Sequence, residues 1–94
     1  MRITTLIWDD WNEDHILRHG VSSEEVEEVC SAPRTILRRG RAGTYVVFGR
    51  TAEGRELTVF LAPRGPYTGA FYPITARPIN LRERRYFRAR KGNE

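Results

Sequence analysis

The chain has 94 residues, 39% of them hydrophobic, with 16 basic against 12 acidic side chains and a net charge of +4. This is the size of a single domain, residues 1–94, with enough apolar content to fold but only a thin core. No apolar run approaches the ~20 residues of a membrane span, the short apolar start breaks at Asp9 and Asp10 with no signal-peptide cleavage site, and the one cysteine, Cys30, leaves cytoplasm as the expected compartment.

Residues 2–7, rich in Ile and Thr, predict a short first strand. Residues 9–19 predict a helix capped by Asp9 or Asp10, with acidic residues in its first turns and Gly20 as its stop. Trp8, Trp11 and His15 fall on one side of it, and Asn12, Ile16 and His19 on the adjacent one. The second helix has the clearest local signal. Ser22 and Glu25 form a capping box, Val21 and Val26 a hydrophobic staple, Val26, Val29 and Cys30 an apolar face, and Pro33 marks the end. Two or three linking residues predict a helical hairpin.

From residue 34 the period becomes two. Residues 34–38 predict an edge strand, 39–43 a turn, 44–50 and 56–62 two buried strands joined by a hairpin turn at 52–55, and 63–66 a break. Residues 69–76 predict the last strand, with Pro73 forcing a bulge or an edge position. Asn80 and Glu83 form a second capping box for a terminal helix running to about residue 89, and residues 91–94 are expected to fray. Tyr45, Phe48, Phe60 and Phe71 are expected in the core. The order β-α-α-β-β-β-β-α predicts an α+β fold, a helical hairpin packed on a curved antiparallel sheet with a C-terminal helix.

Three stretches carry a resemblance: Trp-Asp-Asp-Trp-Asn-Glu-Asp-His-Ile-Leu-Arg-His-Gly-Val at 8–21, Val-Phe-Gly-Arg-Thr-Ala-Glu-Gly-Arg at 47–55, and Ile-Thr-Ala-Arg-Pro-Ile-Asn-Leu-Arg-Glu-Arg-Arg-Tyr at 74–86. In this order and spacing they resemble the BrnT family of type II toxins. Its members read W-D, then H-G-(V/I) about ten residues on, then G-R-(S/T)-x-x-G-R, then I-(S/T)-A-R and E-R. The resemblance spans roughly residues 6–88. It implies a RelE-like ribonuclease fold and RNA cleavage that needs no metal or other cofactor and stops translation. It also implies a ribbon-helix-helix antitoxin as partner, in a complex of two toxins and two antitoxins that binds operator DNA through the antitoxin. Many members carry Lys before His-Gly, where this chain has Arg18. Arg18 keeps the charge, and is a candidate to contact RNA, but cannot readily serve in proton transfer.

The charge distribution fits a polyanion partner. Residues 1–33 carry a net charge of −6 and residues 34–94 a net charge of +10, and all the basic residues but Lys91 are arginines. Arginine forks two donors onto one phosphate and stacks on bases. The alternative is a solvated surface in an arginine-rich composition.

Metal-free RNA cleavage needs a base for the 2′-OH, cations for the phosphorane and an acid for the leaving oxygen. Imidazole is the natural side chain for such proton transfer near neutral pH. His15 and His19 lie at i and i+4, but no third ligand accompanies them as a zinc site requires. His19 either acts in catalysis or caps helix carbonyls, and His15 either meets RNA or packs beside Trp11. Arg50 and Arg77, each at a strand end, are placed to fork onto phosphate, and the resemblance adds weight to both. Glu83 is either a general base or a capping carboxylate. Arg82, Arg84, Arg85 and Arg88 span both faces of the last helix, with Arg85 a further catalytic candidate and the others candidates for phosphate. Tyr86 either stacks on a base or packs on the sheet. Cys30 reads as an inert core thiol and the run Glu24–Glu28 as a solvated helix face. The reading beside the ribonuclease is a non-catalytic module that binds RNA or the antitoxin and acts as a co-repressor.

Overall fold

The computed structural model describes residues 2–65 and 68–92. Its elements are β1 (Thr5–Leu6), α1 (Asp10–Arg18), α2 (Ser23–Ser31), β2 (Ile36–Arg39), β3 (Tyr45–Arg50), β4 (Glu56–Pro63), β5 (Ala70–Pro78) and α3 (Leu81–Gly92). The expected order is present. β1 is shorter than expected, while α3 runs past residue 89 and takes in two of the residues expected to fray. The remaining two, Asn93 and Glu94, and the end of the break at Pro66 lie outside the described residues.

Local chemistry starts each helix. Asp9 caps α1 by accepting from the Asn12 N–H at 2.9 Å, and Asn12 Oδ1 accepts from the Asp9 N–H at 2.9 Å. Asn12 is also fully buried. Its Nδ2 donates to the Ile7 carbonyl at 3.1 Å and the Pro73 carbonyl at 3.0 Å, which ties the first turn of α1 to β5. On α2 the Ser22–Glu25 box forms as expected, and both staple residues, Val21 and Val26, are buried. The link between the helices is residues 19–22, longer than expected. Arg55 clamps it by donating to the Gly20 carbonyl and to both oxygens of Glu25.

The strands lie in the order β1-β5-β4-β3-β2. The sheet is mixed, where an antiparallel one was expected: β2 to β5 form an antiparallel meander, but β1 pairs parallel to β5. α1 and α2 carry the chain from β1 at one edge of the sheet to β2 at the other, and the four meander strands then bring β5 back beside β1 running in the same direction. α1 lies on β5 and α2 on β3. Gly49 permits the second contact, because a Cβ there would stand 2.7 Å from Thr35 Oγ1 and 2.8 Å from Val29 Cγ1. Opposite Phe60 and Leu61, β5 carries its bulge: Phe60 faces Thr75 and Leu61 faces Pro73, leaving Ile74 as the extra residue. Pro73 thus sits in an internal strand, and β1 pairs with β5 only at Ala70 and Phe71.

Strand alternation gives the sheet two covered faces. On one, Val47, Leu57, Val59, Leu61, Phe71 and Ala76 meet Ile16, Val26 and Val29 from the helices in the main core. On the other, Phe48 packs with Ile79 and Phe87 beneath α3, joined by Ile36, Val46 and Tyr86. Phe48 and Phe71 are buried as expected, whereas Tyr45 and Phe60 are only half-buried. The apolar cluster under α3 is the smaller, so polar contacts carry more of that helix's attachment.

Candidate nucleic-acid interface

Residues 51–55 make the β3–β4 turn, and this sets Arg50 opposite Glu56 on the face covered by α3. Arg50 Nη2 donates to Glu56 Oε2 at 2.6 Å. α3 brings two more guanidiniums to the same carboxylate from successive turns. Arg84 Nε donates to Oε1 at 3.0 Å, and Arg88 Nη2 donates to Oε1 at 3.2 Å. The Glu56 side chain is 6% exposed, while those of Arg50, Arg84 and Arg88 are 39%, 42% and 61% exposed. Three guanidiniums on one carboxylate leave two positive charges in surplus, with their outer edges in solvent. Burial pushes the Glu56 pKa up, but hydrogen bonds from Arg50 and Arg88 outweigh it and hold the carboxyl below its ordinary value. The Nε of Arg50 is buried and has no hydrogen-bond partner among the described residues.

A second network lies one register step along. Arg77, opposite Thr58, donates from Nη1 and Nη2 to the two oxygens of Glu83, both at 2.7 Å. Glu83 also accepts from Thr58 Oγ1 at 2.8 Å and from the Asn80 N–H at 3.0 Å, while Asn80 Oδ1 accepts from the Glu83 N–H at 2.8 Å. The expected capping box is therefore present and is fused to an ion pair. Burial raises the Glu83 pKa, and the donors from Arg77, Asn80 and Thr58 more than offset it, so the net shift is downward. A carboxylate with this many donors is poorly suited to accept a further proton as a general base. Its geometry is that of a group orienting Arg77, whose guanidinium also lies 5.4 Å from the centre of the Phe60 ring.

Tyr86 packs edge-on to Phe48 at 5.8 Å, with the guanidiniums of Arg38 and Arg90 at 4.7 and 5.6 Å from its ring centre. Those neighbours take up the ring that an RNA base would need for stacking. Arg82 and Arg85 are exposed on α3 and have no partner among the described residues.

The histidines lie elsewhere. His15 stacks on Trp11 at 5.0 Å, and His19 meets His15 edge-on at 5.0 Å, forming a ladder along α1. α1 packs on the face of the sheet opposite α3. Arg18 lies on the same helix and pairs with Asp14 at 2.6 Å. The structure thus brings Arg50, Arg77, Glu83, Arg84 and Arg88 together and leaves His15, Arg18 and His19 apart from them. Burial and the nearby Glu27 push the Cys30 thiol up to about 12, which matches an inert thiol. Among the described residues, no three His, Cys, Asp or Glu side chains gather as a metal site, and no helix is long and apolar enough to cross a membrane.

Sequence reasoning missed Glu56, the hub of the larger network, Thr58, which donates to Glu83, and Arg38 and Arg90, which flank Tyr86. The available signal was hairpin register: with 51–55 as the turn, Arg50 and Glu56 must face each other. No protein-family profile matches the chain, and no curated protein matches it in sequence.

Proposed function

We propose that this chain is a BrnT-like toxin of a type II toxin–antitoxin system, an endoribonuclease of RelE-like fold that cleaves RNA in the cytoplasm and blocks translation. Its partner in this reading is a ribbon-helix-helix antitoxin, in a 2:2 complex that binds operator DNA through the antitoxin. The observation that supports it best is the cluster of Arg50, Arg84 and Arg88 on the single buried carboxylate of Glu56. Such a carboxylate fixes guanidiniums in place without cancelling their charge, which suits the binding of a phosphodiester and of the extra negative charge of a phosphorane. In the reaction the RNA 2′-oxygen attacks phosphorus as its proton passes to water, the bond from phosphorus to the 5′-oxygen breaks, and that oxygen leaves with a proton taken from water. Arg50, Arg84 and Arg88 hold the non-bridging oxygens, and Glu56 and Glu83 are positioning residues.

A second reading has its own observation. The histidines stand across the sheet from the arginines, and Glu83 is saturated with donors. This favours a non-catalytic module that binds RNA or the antitoxin as a co-repressor. Tightly induced expression separates the two. The toxin reading expects growth arrest by the wild type, relieved by Arg50→Ala with Arg77→Ala and by Arg84→Ala at matched soluble expression. Unhindered growth with soluble wild-type protein would overturn it in favour of the binding module.

A further inference from the structure

A cavity of about 440 Å³ opens where the end of α2, the β3–β4 turn and α3 meet, lined by Glu28, Ala32, Pro33, Arg34, Arg50 and Phe87 among others. This volume falls within the range of small-ligand pockets. Arg50 belongs both to this cavity and to the Glu56 cluster, so the cavity adjoins the surplus positive charge.

The lining is polarised. Arg50 and Arg34 supply the positive part, and Arg34 has no partner among the described residues. The negative part is Glu28 together with the C-terminal end of α2, where helix carbonyls and the negative end of the helix dipole gather. Glu28 Oε1 accepts from the Ala52 N–H at 3.1 Å, and its Oε2 has no partner among the described residues. Ala32 and Pro33 supply apolar lining, and Phe87, itself buried, also borders the cavity.

We propose that this cavity is a base-recognition subsite. It takes one unpaired nucleoside of the RNA, with the phosphate on Arg50 and Arg34 and a donor-bearing base edge on Glu28. Unstacked bases of single-stranded RNA are read in this way, by apolar or planar contact on the ring and hydrogen bonds on the edge. A carboxylate accepts from an amino or imino edge and repels carbonyl oxygens. Guanine, which offers two adjacent donors, is therefore preferred over uracil, whose imino group lies between two carbonyls. This inference rests on the RNA reading above and adds to it a position and a base.

The test uses the full chain and fluorescently labelled octamers of 2′-O-methyl RNA, which lack the attacking hydroxyl. All-uridine and uridine with one central guanosine are compared. The guanosine octamer is expected to bind about fivefold or more tighter, as one or two hydrogen bonds to a charged group allow. Glu28→Gln, which keeps an acceptor for the Ala52 N–H, and Ala32→Leu, which fills the cavity, should each bring the ratio toward one. Equal binding of the two octamers by the wild type, or a guanosine preference that survives both variants, overturns the subsite and leaves the RNA reading standing. Failure of both octamers to bind at low salt overturns the two together.

Discussion

Arg77 and Glu83 meet in a two-point fork, 2.7 Å at each end, that joins the last strand to the first turn of the last helix. The geometry needs a planar guanidinium, because an ammonium offers one point of charge where the fork offers two aligned donors. Arg77→Lys should therefore keep the charge and still destabilise the protein by about 1–2 kcal/mol in urea denaturation, reflecting one lost charge-assisted hydrogen bond. An unchanged denaturation midpoint would show that the fork contributes nothing to the attachment of α3.

The two hub carboxylates predict an acid limb. Burial raises the pKa of both Glu56 and Glu83, but the arginines on Glu56, and Arg77 with Asn80 and Thr58 on Glu83, outweigh it, and both end below the ordinary 4.5. A depressed folded-state pKa contributes stability that is fully present above 4.5 and lost as pH falls through the lower folded value. Melting temperatures should hold from pH 7 to 5 and drop below about 4.5, the ordinary value. For a variant carrying Glu56→Gln and Glu83→Gln, the gap to wild type should narrow as pH falls through that range. Parallel curves for the two proteins would contradict the linkage.

Asn12 tests how α1 is pinned. Its Nδ2 gives both hydrogens to the carbonyls of Ile7 and Pro73 in a fully buried setting. Asn12→Asp would set a carboxylate oxygen against those two carbonyl oxygens, whereas Asn12→Ala leaves them only unpaired. Both should be destabilised, by about 1–3 kcal/mol per unsatisfied group, with the aspartate variant the less stable at pH 7 in chemical denaturation. The reverse order would mean that the amide does not face the carbonyls.

What could be read from sequence follows the range of each interaction. The caps at Ser22 and Asn80, and that of α1 to within Asp9 or Asp10, were legible because each reaches only three positions along the chain. That Pro73 interrupts its strand was legible because proline lacks the ladder donor, but the choice between a bulge and an edge position was not, and the structure shows the bulge in an internal strand. The hub at Glu56 was not: Arg84 and Arg88 reach it across 28 and 32 positions, and no local period encodes that pairing. The direction of β1 was hidden for a similar reason. It depends on how many strands the meander makes before returning, while the two residues Thr5 and Leu6 suit either direction. The separation of His19 from Arg50 follows from the side of the sheet that α1 covers, which the helical pattern alone leaves open.

Phosphate binding by the Glu56 cluster has a signature in salt. Each contact to a single-stranded phosphate contributes about 0.7 to the slope of log affinity against log salt. Arg84→Ala should reduce that slope by about one such contact for a uridine octamer, while Arg18→Ala, on the opposite side of the sheet and paired with Asp14, should leave it unchanged. Equal slopes for wild type and Arg84→Ala would remove Arg84 from the interface.

The most direct measurement is cleavage of a single-stranded RNA by the purified chain in the presence of a metal chelator, with product ends identified by mass. Attack by the 2′-oxygen predicts 2′,3′-cyclic phosphate ends, and Arg50→Ala and Arg84→Ala should each slow the reaction by about 10²–10³, the cost of removing one preorganised donor from a developing oxyanion. RNA that stays intact with the folded wild-type protein, or cleavage at the same rate by both variants, would contradict the claim that the arginines on Glu56 form a ribonuclease site.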